Sequence, residues 1–139
     1  MKVLIDSNVT LNKLLNQPQF FIGSNKIFKL AEIGHITGYI SASAITDIYY
    51  ISRKNLGKAG AIEAIRKMLQ VFHPATVTGD NIFKAFDLDW GDFEDAVQYV
   101  VGESLSINYI ITRNTSDFSE GKIPAVTPEQ FIEIITGDE

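Results

Sequence analysis

The chain has 139 residues, 45 % of them hydrophobic and 21 % charged, which suits one soluble globular domain over 1–139 with a buried core. It has no cysteine, which excludes a disulfide scaffold, a thiolate zinc site and a thiol nucleophile, and its two histidines, His35 and His73, stand in no ligand spacing. A net charge of −5 argues against nucleic-acid binding by bulk electrostatics, and no apolar run approaches a membrane span, so the expected address is the cytoplasm and any metal would be a hard cation held by oxygen.

In chain order, Lys2 to Asp6 reads as a buried strand, since Val3-Leu4-Ile5 is too short for a signal peptide. Asn8 to Asn16 carries Val9, Leu11, Leu14 and Leu15 at helical spacing, and Gln17-Pro18 closes it. Phe20 to Ile33 is a second helix with Gly34 as its stop, and Ile36 to Ser41 is a short strand. Ser41 or Ser43 caps a helix that ends near Leu56-Gly57, and Ala59 to Leu69 forms another. A strand is expected around Val71 to Val77, then a short helix from Thr78 through Phe86 and a longer one from Asp92 to Leu105. Tyr109 to Thr112 and Ala125-Val126 are the last strands, and Thr127-Pro128-Glu129-Gln130 is a capped start for a terminal helix. Strands alternating with helices predict a parallel sheet covered on both faces, with the first strand central and beside the Tyr109 strand.

In such a sheet ligands bind outside the carboxyl ends of the strands. Asp6 ends the first strand, Asp47 lies in the helix after the strand ending near Ser41, and Asp117 follows the Tyr109 strand within one loop. Asp92, Glu94 and Asp95 open a helix, where the dipole favours negative charge. Each acid alone also reads as a cap, a first-turn acid or a loop acid. Asp47 is the exception, because it sits among Ala44, Ile45, Ile48, Tyr50 and Ile51, where a buried carboxylate is costly unless paired or bound to metal. Converged carboxylates repel, so they take up protons or a divalent cation, and such a cation suits hydrolysis of a phosphate ester.

The same residues carry a resemblance. Leu4-Ile5-Asp6-Ser7-Asn8-Val9, Ile40-Ser41-Ala42-Ser43-Ala44-Ile45-Thr46-Asp47, Asp92-Phe93-Glu94-Asp95-Ala96 and Thr112-Arg113-Asn114 before Asp117-Phe118 resemble, in order and spacing, the four motifs of PIN domains. The resemblance implies a three-layer α/β/α sandwich with a central parallel sheet and a ribonuclease dependent on Mg2+ or Mn2+. It implies catalytic acids at Asp6, Asp47, Asp95 and Asp117, with Asp6, Asp95 and Asp117 on the metal. Asn8, Asp92, Thr112 and Asn114 would support them. Many bacterial members are VapC-like toxins, often dimeric and inhibited by an antitoxin protein, so RNA, an antitoxin and a second copy are the expected partners. The second acid is commonly Glu in toxin-type members. Here it is the shorter Asp47, which implies action through a water or with help from Asp92.

Two other classes remain open. Asp6-Ser7-Asn8-Val9-Thr10 echoes the opening of haloacid-dehalogenase phosphatases, although Asn8 cannot be their general acid. A PIN-like fold could also serve as a binding module without catalysis. Phe20-Phe21, Phe83 and Phe86 read as core, Arg53-Lys54, Lys58 and Arg66-Lys67 as a solvated face, His73 as structural, and Trp90 as a pocket rim or half-buried anchor.

Overall fold

The structure, a computed structural model, describes residues 1–137, so Asp138 and Glu139 lie outside the described residues. Its elements are β1 (Lys2–Ile5), α1 (Ser7–Leu14), α2 (Phe21–Glu32), β2 (Thr37–Ser41), α3 (Ala42–Met68) and β3 (His73–Ala75). They continue with α4 (Gly79–Leu88), α5 (Phe93–Ser104), β4 (Tyr109–Ile111), a 3-10 helix at Thr115–Phe118, β5 (Ala125–Val126) and α6 (Pro128–Thr136).

All five strands are parallel, in the order β3-β2-β1-β4-β5. β1 is central and pairs with β4 as expected, Val3 to Ile5 lying against Tyr109 to Ile111. Because strand side chains alternate between faces, β1 feeds two cores at once. Val3 and Ile5 join residues of α1, α2, α3 and α6 on one face. Leu4 turns the other way, to Tyr99, Ile110 and Phe118, beside a cluster that ties α4 to α5. The result is the three-layer α/β/α arrangement. From β1 the chain order runs outward through β2 and β3 on one side and through β4 and β5 on the other. The crevice between β1 and β4 is therefore the topological switch point, where such folds bind ligands.

Local chemistry explains most element ends. Thr78 and Thr127 cap α4 and α6 with reciprocal capping boxes, from Asn81 and Gln130. Gly34 stops α2 with φ 82°, a conformation that costs glycine little.

The two helices expected from Ser41 to Leu69 are both present and meet almost end to end within α3 at Gly57, whose φ of 75° and ψ of 171° are not helical. Other expectations change. β3 is shorter than Val71 to Val77 because Val71 and Phe72 still close the last turn of α3, their amides donating to Met68. Phe83 and Phe86 are not core: they stand 72 % and 63 % exposed, since α4 buries the face carrying Asn81 and Ala85. Phe20 and Phe21 are half-buried. Trp90 is a half-buried anchor on Tyr99, ring centroids 4.9 Å apart.

Candidate active site

Asp6 is the centre of the site. It follows the last residue of β1, and its backbone amide continues the ladder by donating to the Ile111 carbonyl at 2.9 Å. Its extended φ and ψ make it the N-cap of α1 as well. Asp6 is 6 % exposed, and donors from three residues reach its carboxyl. Ser7 N donates to Oδ1 at 2.7 Å, Gln98 Nε2 to Oδ1 at 3.3 Å, and Thr112 Oγ1 to Oδ2 at 2.8 Å. Burial pushes the Asp6 carboxyl above the usual carboxylate range, and the nearby charge of Asp117 adds to that, against the three donors that pull it down.

Asp95 approaches from α5. Burial first, then the charges of Asp92, Asp6 and Asp117, push it up to about 7. Asp117 comes from the 3-10 helix after β4, and its amide donates to the Asn114 carbonyl at 3.0 Å. Asp92 is the N-cap of α5 rather than a member of its first turn, its Oδ1 accepting the Asp95 amide at 3.0 Å.

Asp47 departs from the sequence reading in one respect. It is exposed, because α3 buries Ala44, Ile48 and Ser52 and turns Asp47 about a quarter-turn away, toward the rim. The residue that meets it is Glu94. Contact with Asp47 is the largest cause pushing Glu94 up to about 7, followed by burial and by the charges of Asp47, Asp6 and Asp92.

The structure thus gathers Asp6, Asp95, Asp117 and Asp92 at the switch point, with Asp47 and Glu94 beside them. Thr112, fully buried, stands directly behind Asp6. Asn8 accepts the Arg113 amide at 3.3 Å and so ties the start of α1 to the end of β4. Asn114 contributes through its backbone, its amide donating to Thr112 Oγ1 at 3.0 Å, while its side chain is exposed. Arg113 turns away from the acids. It donates to Asn12, Phe20, Ser24 and Glu129 and lies over the Phe20 ring, clamping α1, α2 and α6 to the loop that carries Asp117.

The sequence does not single out three participants: it marks Glu94 as a dipole-complementing acid, Arg113 as part of a motif, and Gln98 not at all. Helical spacing was the available signal for Gln98, which lies four residues after Glu94 and three after Asp95 and so shares their face.

The donor set is all oxygen, from carboxylates that repel one another, and that chemistry fits a hard divalent cation. Among the described residues no three acids stand at ligand spacing around one point. An ion held here would complete its shell with water, as magnesium commonly does.

A family model for the PIN domain matches residues 2–116. The chain belongs to the PIN domain family. The fold agrees with that of other PIN proteins. VapBC-1 from nontypeable Haemophilus influenzae aligns with a TM-score of 0.70 at 14 % identity, over 93 % of this chain and 99 % of that one. VapC20 from Mycobacterium tuberculosis, a toxin that cleaves the sarcin-ricin loop, gives 0.69 at 13 %, over 86 % and 95 %. VapBC2 from Rickettsia felis, bound to a DNA fragment from its promoter, gives 0.68 at 15 %, over 91 % and 97 %. At these identities the likeness is one of fold. No curated protein matches the sequence. Within this PIN domain, no described helix is long and apolar enough to cross a membrane.

Proposed function

We propose that this PIN domain is a metal-dependent ribonuclease that hydrolyses RNA phosphodiester bonds, with Asp6, Asp95 and Asp117 holding Mg2+ or Mn2+ and Asp47 acting at the rim. Support comes chiefly from the convergence on Asp6, a buried carboxyl at the switch point that shares its electrostatic field with Asp95 and Asp117. When bound, the ion would activate a water and stabilise charge on the scissile phosphate. The chain's own groups supply the rest. Ser7, Gln98 and Thr112 orient Asp6. Asp95, pushed up to about 7 by burial and by the charges of Asp92, Asp6 and Asp117, gives up its proton when a divalent cation relieves that repulsion. Glu94 holds a proton near neutral pH through Asp47 and can release it to the departing oxygen. The net charge of −5 agrees with recognition that depends on the cation rather than on a basic surface.

The test is incubation with structured and unstructured RNA in magnesium, in manganese and in chelator, repeated with Asp6→Asn and Asp95→Asn. Cleavage should need the metal and disappear in both variants. Asp95→Asn should fold at least as stably as the parent in chelator, because it removes a repelling charge, whereas Asp6→Asn turns an amide nitrogen toward one of the donors on Asp6 and offsets that gain. Both should also lose the protection against melting that the metal gives the parent.

We further infer that the chain is the cytoplasmic toxin of a toxin–antitoxin pair, inhibited by an antitoxin protein and dimeric. The likeness in fold to the VapBC complexes supports the first partner. An exposed aromatic face of Phe83, Phe86 and Phe93 supports a second copy as the other.

One observation favours a second reading, a PIN-like binding module without catalysis: among the described residues no three acids stand at ligand spacing. A melting titration with manganese separates the two, since a parent protein with no protection at any concentration would support the module.

A further inference from the structure

Gln98 is completely buried, yet its Oε1 has no hydrogen-bond partner among the described residues. A side chain kept in that state is used for its other end, and its Nε2 donates to Asp6 Oδ1. That oxygen also accepts the Ser7 amide at 2.7 Å and, at 3.5 Å, the Ser7 hydroxyl, so its ordinary acceptor positions are filled. Oδ2 differs. It accepts one bond, from Thr112 Oγ1, and keeps a free position.

We propose that Gln98 is a positioning residue, which saturates Oδ1 of Asp6 and so makes Oδ2 the single atom that Asp6 offers to a divalent cation. This rests on the reading of the site as a metal-dependent nuclease. The placement suits the purpose. Gln98 rides on α5 with Asp95 and Glu94, so one rigid helix sets two acids of the cluster and the orientation of a third. It is the contact that ties Asp6 at the end of β1 directly to α5, because Ser7 and Thr112 belong to the neighbouring turn and to the end of β4. Without the amide, Oδ1 is held from the Ser7 turn alone, and the carboxyl can tilt on its Ser7 and Thr112 bonds and offer Oδ1 as well as Oδ2.

The experiment compares Gln98→Met and Gln98→Asn with the parent. Met fills the same space without a donor, and Asn keeps an amide but draws it back by one methylene. Melting is followed in chelator and across a manganese titration, with kcat and KM for a single-stranded RNA. The expected result is a folded protein in chelator, with a single cooperative transition at a melting temperature lowered no more than by Thr112→Val. The manganese concentration needed for half-maximal protection should rise at least tenfold in both variants, and kcat should fall more than KM changes. Protection and kcat at the parental level in either folded variant would overturn the proposal, and so would loss of folding in both, since the role would then be structural. A parent protein that manganese does not protect at all would remove the metal site itself and the positioning role with it.

Discussion

Thr112 Oγ1 donates to Asp6 Oδ2 at 2.8 Å and accepts the Asn114 amide at 3.0 Å, so one buried hydroxyl joins the ends of β1 and β4 across 106 residues of chain. The hydroxyl has a single proton, and the Asn114 amide directs it toward Asp6 by occupying a lone pair. The relation fixes both the carboxyl and the loop that leads to Asp117.

Replacing Thr112 by Val keeps the shape and removes the bond. Asp6 then keeps fewer donors in a buried place, and the cost should be about 1–3 kcal/mol of stability at neutral pH. The bond with Thr112 pulls the Asp6 carboxyl down against burial, so its loss lets the folded-state value rise further. A carboxyl raised in the folded state is charged only at the expense of stability. The penalty of T112V should therefore shrink as pH falls toward the ordinary carboxylate value and be complete above the raised one. Urea denaturation at pH 4.5 and pH 8 measures it, and an equal penalty at both would contradict the account.

The parent should show the same sign on its own. Asp95 and Glu94 are pushed up to about 7 in the folded protein, while in the unfolded chain they titrate near 4. Between those values the folded state binds more protons, so in chelator stability should fall as pH rises from about 4 to about 7 and level off above. Divalent metal competes with those protons, so its protective effect should grow over the same window. Melting temperatures in chelator and in manganese, taken at half-unit steps, test both slopes. A curve in chelator that climbs from pH 5 to pH 8 would show that the acids are not repelling one another as placed.

Much of this is legible in the sequence. Val3-Leu4-Ile5 and Ile110-Ile111 announce buried parallel strands because they are apolar on both faces, and the strand-end positions of Asp6 and Thr112 follow from them. What was not legible depends on which way a helix is turned. Asp47 sits among apolar residues in sequence, but four-residue spacing from Ala44 to Ile48 to Ser52 defines the buried stripe and leaves Asp47 outside it. Phe83 and Phe86 failed as core for the same reason. Gln98 was hidden because its role comes from a contact 92 residues away, and nothing local marks an amide as a carboxylate's partner.

The pairing of Asp47 with Glu94 predicts an exchange of proton affinity. Contact with Asp47 is the leading cause of the raised Glu94 carboxyl, so Asp47→Asn should return Glu94 toward the ordinary carboxylate range. If Glu94 delivers a proton to the leaving oxygen, the alkaline limb of the pH–rate profile reports it. That limb should move to lower pH in Asp47→Asn and vanish in Glu94→Gln, with rates lowered roughly 10²–10⁴-fold, the usual worth of general acid catalysis. The profile of kcat/KM between pH 5 and pH 9 decides it. An alkaline limb unchanged in both variants would remove Glu94 from the chemistry and leave Asp47 as a rim acid.

The aromatic face of α4 offers a prediction independent of metal. Phe83 and Phe86 lie 72 % and 63 % exposed, and Phe86 stacks on Phe93 with ring centroids 4.3 Å apart. Exposed phenylalanines side by side cost solubility unless something covers them, and an isologous contact with a second copy covers both faces with one set of residues. Phe93 is a poor probe, since it lies between Asp92 and Glu94 and its replacement would disturb the acids. Phe83 and Phe86 stand on α4, outside the acid-bearing helix. Substituting Ser at both removes little packing at Phe83 and the stack on Phe93 at Phe86, so unfolding of the isolated chain should change by about 0.5 kcal/mol at Phe83 and about 1 kcal/mol at Phe86. Sedimentation velocity should find the parent dimeric at micromolar concentration and the double variant monomeric, with the parent's thermal stability depending on concentration and the variant's not. A parent that sediments as a monomer, or a double variant that still sediments as a dimer, would show that a second copy does not cover this face.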